Sequence, residues 1–190
     1  MQTQIKKDPP AQKLTVFYNS DEISRRVVSL AQEIGEALRA ENIASDKLII
    51  ISLLKGGFVF TADLIRALYA EGIHPQVDFM ALSSYGMGKK SSGKVEIIGD
   101  TRENFKGRHA LIVDDILESG HTLAFVKNLL KKRGAKSAKT VVFLEKPGKR
   151  ETEIEADFVG FMVPDKFVVG YGLDSAHNFR ELPFIAVLGD

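Results

Sequence analysis

The chain has 190 residues and a mass of 21.0 kDa, and 26 basic residues against 25 acidic ones give a net charge of +1. A chain of this length is expected to form one domain over residues 1–190, with the polar, proline-containing residues 1–12 as a flexible arm. The balanced charge predicts neither a nucleic-acid partner nor an anionic membrane partner. The absence of cysteine excludes a disulfide framework and thiolate metal sites. The start MQTQIKKDPPAQ lacks the apolar core of a signal peptide, so we expect a cytoplasmic location.

The first elements are a strand at 13–18 and a helix that begins after Asn19 or Ser20 and runs to about Ala40. Apolar residues recur in this helix at spacings of three and four, which places them on one face. They are Ile23, Val27, Leu30, Ile34 and Leu38. Residues 48–53 contain no polar residue except Ser52, which predicts a strand buried on both faces.

Strand and helix patterns then alternate along the chain. We predict helices at 59–69 and 121–133 and strands at 76–82, 110–113 and 140–144. This order indicates an α/β fold with a mostly parallel central sheet flanked by helices. The apolar segments 167–170 and 184–188, after Pro164, read as a small appendage to the sheet.

Two adjacent carboxylates follow the apolar run that ends at Val113. If that residue ends a central strand, Asp114 and Asp115 emerge at the carboxyl end of the sheet, where open α/β sheets bind ligands. Carboxylates would repel a phosphate directly, so they are expected to accept hydrogen bonds from sugar hydroxyls or to hold a divalent cation.

The next residues, Glu118 to Thr122, form the predicted turn into a helix that begins near His121. Such a turn presents unpaired amides and the positive end of the helix dipole, which together hold phosphate. Ser119 and Thr122 add hydroxyl donors, and Gly120 lets the backbone close around the anion. The combination predicts a sugar phosphate ligand. The alternative is a solvated loop whose acids merely favour the helix N-terminus.

The hydrophobic run, acid pair and small-residue turn resemble the signature of type I phosphoribosyltransferases. Further stretches narrow the resemblance to the hypoxanthine-guanine phosphoribosyltransferases, from about Leu14 to the end of the chain. These stretches are Leu53-Leu-Lys-Gly-Gly57, Ser83-Ser-Tyr-Gly86, Phe158-Val-Gly-Phe161, Pro164-Asp-Lys-Phe-Val-Val-Gly-Tyr-Gly-Leu-Asp174 and Phe179-Arg180. The resemblance implies the type I phosphoribosyltransferase fold, with a small hood built from the chain ends.

The resemblance also implies a set of residues that bind phosphoribosyl pyrophosphate. These are Lys55, Gly56, Gly57, Ser84, Tyr85, Asp114, Asp115, Ser119, Gly120, His121, Thr122 and Arg180. In the family the lysine-glycine-glycine loop binds pyrophosphate and has a cis peptide before the lysine, here Leu54-Lys55. Taken alone, that loop could be a plain turn. Residues 84–94, rich in glycine and lysine, could be a solvated hairpin tip, but the resemblance favours a lid over the reaction.

For the purine, the resemblance implies that Phe167 stacks on the base, Val168 offers backbone groups and Lys166 flanks it. Without the family, Phe167 would be interpreted as a core residue. Lys146 would donate to the 6-oxo oxygen, which disfavours adenine. Asp174, which is also assigned to the base site, would join Asp114 and Asp115 at a magnesium ion.

The implied reaction is transfer of 5-phosphoribosyl to hypoxanthine or guanine, with Mg²⁺ as cofactor, by a homodimer or homotetramer. Glu118 is the expected catalytic residue, although the family normally has aspartate at that position. Its carboxylate would take the proton that the purine loses. Two alternatives remain: a xanthine-preferring enzyme, and a regulator of the same fold that only senses phosphoribosyl pyrophosphate.

Overall fold

Residues 13–84 and 95–189 are described by the computed structural model, and the predicted arm lies outside them. The elements follow the predicted order of strands and helices. They are β1 (Leu14–Tyr18), α1 (Ser20–Ala40), a 3₁₀ turn (Ser45–Lys47), β2 (Leu48–Leu54), α2 (Phe58–Ala70), β3 (Gln76–Ser84), β4 (Val95–Gly99), β5 (His109–Leu117), α3 (His121–Lys132), β6 (Ser137–Glu145), β7 (Phe158–Met162), β8 (Val168–Val169) and β9 (Ile185–Leu188).

The main sheet has the strand order β4-β3-β2-β5-β6-β7. Only the β3–β4 pair is antiparallel among these six strands, so the predicted mostly parallel sheet is confirmed. The edge strands β4 and β7 had not been predicted from local pattern. A second antiparallel sheet, β1-β9-β8, joins the two ends of the described chain and forms the expected hood.

Strand β2 is buried on both faces, as predicted, because helices cover both sides of the sheet. Leu48 and Ile50 pack in the core beneath α1 and α2, whereas Ile49 and Ile51 pack in the core beneath α3. Its one polar residue, Ser52, is fully buried and accepts a hydrogen bond from Thr61 Oγ1 at 2.7 Å. This bond links β2 to α2, next to the loop that joins them.

Helix α1 begins as the sequence indicates. The side chain of Asn19 accepts hydrogen bonds from the amides of Asp21 and Glu22, and the Glu22 carboxylate accepts one from the Asn19 amide. This reciprocal arrangement is a capping box, which fixes the start of the helix. No helix in residues 13–84 and 95–189 is both long enough and apolar enough to cross a membrane.

Strand β5 is longer than predicted, which changes the placement of the acid pair. Its pairing with β2 ends at Val113, but its pairing with β6 continues to Leu117. Asp114 and Asp115 therefore lie within the strand and not beyond its end. They still face a cleft, because β2 turns away on one side at Lys55 while β6 supports the strand on the other side.

Candidate active site

A cleft of about 620 Å³ opens at the carboxyl ends of β2 and β5. Its walls come mainly from two backbone segments that are distant in sequence, 53–56 and 114–123. Single residues from other loops and strands complete the lining. These are Leu82, Val95, Lys149 and Glu151. The cleft thus brings together the lysine-glycine loop, the acid pair and the predicted phosphate turn.

The lysine-glycine-glycine loop packs closely against the acid pair. The Leu54–Lys55 peptide is cis, as the resemblance implies. A Cβ on Gly56 would lie 1.5 Å from Oδ2 of Asp115, so only glycine fits here without displacing that carboxylate. Gly57 caps α2 and lies just outside the cleft lining. The loop can therefore approach a ligand only through its backbone and the Lys55 side chain.

The acid pair carries an electrostatic cost. Asp114 is buried, and burial together with the charge of Asp115 raises its pKa well above the usual value. Burial also raises the pKa of Asp115, although hydrogen bonds from Asp114 and the Ile116 amide and the charge of Arg180 act in the opposite direction. The amides of Asp115 and Ile116 donate to the pair at 3.0 and 2.9 Å. Hydroxyl donors or a cation in the cleft would stabilise the ionised pair.

The turn into α3 has the geometry of an anion cradle. Gly120 has a left-handed φ of 87° and caps the helix without a side-chain hydrogen bond. Within the described residues, the amides of 119–122 donate to no acceptor. A Cβ on Gly120 would lie 2.3 Å from Oγ1 of Thr152, so the loop after β6 supports the outer side of the turn. Free amides and the helix dipole at one wall favour a phosphate group.

Two further charged groups at the cleft were missed from the sequence. Glu151 Oε2 lies 2.8 Å from Nε2 of His121, and Lys149 Nζ lies 2.5 Å from Oδ2 of Asp165. His121, predicted only as part of the turn, therefore presents a side chain to the cleft as well. The sequence could have indicated Lys149, because this residue follows the carboxyl end of β6, which lies at the same edge of the sheet as the cleft.

The predicted base-reading residues lie beside the cleft and not in its lining. Lys146 is 8% exposed, and its Nζ is 3.5 Å from Oε2 of Glu118. Phe167 is 56% exposed, so it is not a core residue, and its ring is accessible for stacking on a base. Lys166 is exposed, whereas Val168 is buried in β8 opposite Val187.

Asp174 and Arg180, the last two predicted residues, form an ion pair. Arg180 Nη2 lies 2.6 Å from Asp174 Oδ1, and its Nη1 donates to the Gly172 carbonyl at 2.6 Å. A Cβ on Gly172 would lie 2.2 Å from the Gly56 carbonyl oxygen, which places this loop against the lysine-glycine loop. Asp174 thus pairs with arginine in the structure, and its place at a metal ion, which the resemblance implies, stays a prediction.

The predicted lid is only partly within the structure. Tyr85 and the rest of residues 85–94 lie outside the described residues, and Ser84 is the last residue of β3. The described part of the chain contains no group of three or more His, Asp or Glu side chains placed to hold a metal ion. A metal here would need additional ligands from a substrate.

Comparisons with known proteins identify the family of the chain. Residues 16–176 match the family described as phosphoribosyl transferase domain. The Bacillus subtilis hypoxanthine-guanine phosphoribosyltransferase is 45% identical over 173 residues, covering 91% of this chain and 92% of that protein. The bifunctional protein TilS/HprT of Listeria monocytogenes is 42% identical over 173 residues, and this chain spans about a quarter of it (26%).

The fold is also similar to those of solved structures of hypoxanthine phosphoribosyltransferases. A hypoxanthine phosphoribosyltransferase from Trypanosoma cruzi, in complex with the product IMP, superposes with a TM-score of 0.86 at 36% identity, covering 96% of this chain and 97% of that one. The resemblance inferred from the ordered motifs is thus confirmed. With the family match over most of its length and the cleft at the expected sheet edge, this chain belongs to the phosphoribosyl transferase domain family.

Proposed function

We propose that the chain transfers the 5-phosphoribosyl group from phosphoribosyl pyrophosphate to hypoxanthine or guanine, giving IMP or GMP and pyrophosphate. One observation carries this proposal: the acid pair, Glu118 and a turn of free amides share one cleft, with Lys146 at its side. The activity also matches the names of relatives that this chain covers almost completely.

The cleft suggests how the sugar substrate binds. Its 5′-phosphate would accept hydrogen bonds from the amides of 119–122 and from the hydroxyls of Ser119 and Thr122. The ribose hydroxyls would donate to Asp114 and Asp115. The pyrophosphate would lie against the Lys55–Gly57 loop, near Arg180, whose charge reaches Asp115.

Magnesium fits this arrangement as a substrate-bound ion. Mg²⁺ is commonly held by one or two carboxylates together with substrate phosphates and water, so two carboxylates without a third ligand are sufficient. Asp114 and Asp115 would contact the ion, and Asp174, which pairs with Arg180 in the structure, would assist in holding it. When bound, the ion would neutralise charge on the departing pyrophosphate.

The base would lie between the cleft and the hood. Phe167 would stack on the ring, Lys146 Nζ would donate to the 6-oxo oxygen, and Val168 and Lys166 would border its edge. As the bond between the anomeric carbon and pyrophosphate breaks, a ring nitrogen bonds to that carbon. Glu118 then accepts the proton that this nitrogen loses.

A steady-state panel of hypoxanthine, guanine, xanthine and adenine, with and without magnesium, tests the proposal. We expect turnover with hypoxanthine or guanine, little with adenine, and loss of activity when EDTA removes the metal. A strong preference for xanthine would support the xanthine-preferring alternative. Binding of phosphoribosyl pyrophosphate without turnover of any base would favour the regulator and overturn the proposal.

We further propose a homodimer or homotetramer in the cytoplasm. Large apolar side chains are exposed along one side of α2 and on strands β3 and β4 at one edge of the sheet. Phe58 and Tyr69, three helical turns apart, are 43% and 70% exposed, and Phe79 and Ile98 are 44% and 71% exposed. Light scattering coupled to size-exclusion chromatography should give a mass of at least twice 21.0 kDa.

A further inference from the structure

The loop after β6 makes a set of contacts with the outer side of the phosphate turn. From these contacts we propose that Arg150 is a positioning residue for phosphoribosyl transfer, which aims the turn amides at the cleft and fixes the backbone of Glu118. The inference rests on the function proposed above, and Arg150 itself does not line the cleft.

Arg150 uses its whole guanidinium group for structural contacts. Its Nη1 donates to the carbonyls of Glu118 and Leu117 at 2.7 and 3.2 Å, and its Nε donates to the Ile154 carbonyl at 3.2 Å. Its Nη2 lies 2.7 Å from Oε1 of Glu145. Both side chains are largely buried, with exposures of 22% and 18%, so the pair is shielded from solvent. A rigid, five-donor fork suits such a multiple contact, and lysine would not reproduce it.

Other loop residues hold the same backbone. The Ser119 carbonyl accepts from the Glu151 amide at 2.9 Å and from Thr152 Oγ1 at 3.3 Å. The Leu117 carbonyl also accepts from the Lys146 amide at 3.0 Å. Three consecutive carbonyls, at 117, 118 and 119, are thus all bound from the loop side.

This pattern has a direct consequence for the amides. In a planar trans peptide the C=O of one residue and the N–H of the next point in opposite directions. Carbonyls held by the loop therefore turn the amides of 118, 119 and 120 away from it. The amides of 119 and 120 have no acceptor within the described residues, as a site prepared for an anion requires. Arg150 holds the central carbonyl of the three and the one before it.

The same contacts connect the two halves of the site. Glu145, the partner of Arg150, directly precedes Lys146, and Lys146 Nζ is 3.5 Å from the Glu118 carboxylate. Of the two carbonyls that accept from Arg150 Nη1, that of Glu118 is the nearer. Loss of the guanidinium should therefore disturb both the phosphate cradle and the position of the catalytic carboxylate.

The test compares Arg150→Met, Arg150→Lys and a matched control, Arg26→Met. Arg26 is also a largely buried arginine that binds two backbone carbonyls, Gly160 at 2.8 Å and Val159 at 2.6 Å, and one carboxylate, Glu33 at 2.5 Å. None of these partners lines the cleft, whereas Leu117 and Glu118, which Arg150 binds, both do. For Arg150→Met we expect the KM for phosphoribosyl pyrophosphate to rise about 10- to 100-fold and kcat to fall. Arg150→Lys should recover only part of this loss. Arg26→Met should lower the Tm and leave both kinetic constants near wild type.

Certain results would overturn the inference. One is an Arg150→Met enzyme with a lower Tm but unchanged KM and kcat per folded molecule, which would show a purely structural role. If that variant does not fold, Glu145→Gln must show the same kinetic pattern in weaker form, and unchanged constants would again refute the inference. If the wild-type protein has no transferase activity, the proposed function fails separately. Binding of inorganic phosphate, measured by calorimetry, must still weaken in Arg150→Met for the inference to stand.

Discussion

Gly120→Ala is the substitution whose effect the structure defines best, because two costs arise at one position. The residue has φ 87°, a region that alanine enters at a cost of about 1–2 kcal/mol. The added Cβ would also lie 2.3 Å from Oγ1 of Thr152 and 2.6 Å from Cγ2 of Ile154, far inside van der Waals contact. Overpacking of this kind costs about 1–3 kcal/mol.

The two costs together predict a loss of about 2–5 kcal/mol in the free energy of unfolding. For a chain of this size, each kcal/mol lowers the Tm by about 2–4 °C. The clash should also affect substrate binding, because Thr152 Oγ1 donates to the Ser119 carbonyl in the phosphate turn. Pushing Thr152 outward should release the turn, so the KM for phosphoribosyl pyrophosphate should rise while the KM for hypoxanthine changes less.

Gly72→Ala provides the matched control for the backbone cost. Gly72 has a similar φ of 74°, but its Cβ would meet nothing within 4 Å. Urea denaturation of both variants then isolates the clash as the difference between them, expected at about 1–3 kcal/mol. Equal losses of stability for the two glycine variants, or an unchanged KM for phosphoribosyl pyrophosphate in Gly120→Ala, would refute the packing argument.

Three further predictions concern the reacting groups. Lys146→Ala should raise the KM for hypoxanthine and weaken selection against adenine, because a directed hydrogen-bond donor is lost. Steady-state kinetics with the panel of four bases measures this, and equal losses for all purines would indicate a structural role instead. Glu118→Gln should lower kcat by about 100-fold if base catalysis is its main role, whereas Glu118→Asp should retain much more activity, as steady-state rates would show. Asp114→Asn should raise the KM for phosphoribosyl pyrophosphate yet stabilise the empty enzyme. Since the pKa of Asp114 is raised on folding, the native state binds more protons than the unfolded state and wild-type stability falls as pH rises. Urea titrations should therefore show a stabilisation of the variant near pH 8 that fades towards about pH 4, the unfolded pKa of aspartate; a gain independent of pH would contradict this cause.

Much of the framework could be predicted because local pattern determines it. The helical periodicity and the Asn19 cap locate α1, and the apolar run at 48–53 locates a strand buried on both faces. Strands of this kind need helices on both sides of a sheet. The acid pair and the turn could be placed at one sheet edge for the same reason, since parallel strands end together there.

Other features depend on contacts between distant segments and were not visible in local pattern. The extension of β5 to Leu117 results from pairing with β6, which no periodicity in β5 itself encodes. Arg150 lies 32 positions after Glu118, and only the fold brings its guanidinium to that carbonyl. For Phe167, a local interpretation as core would have been wrong, because the residue lies just before the hood strand β8 and its ring is 56% exposed.

The acid pair shows why stability and binding are opposed at this site. Two adjacent carboxylates are placed where burial raises the pKa of both, so ionising the pair costs stability in the folded protein. A hydrophobic or amide pair would remove that cost, but it would also remove the acceptors that sugar hydroxyls and a cation require. Gly56 likewise favours the acid pair over packing, because the absence of a side chain there leaves room for the Asp115 carboxylate. A ligand that brings positive charge or hydroxyl donors to the pair would offset this cost, and its binding would therefore stabilise the folded protein.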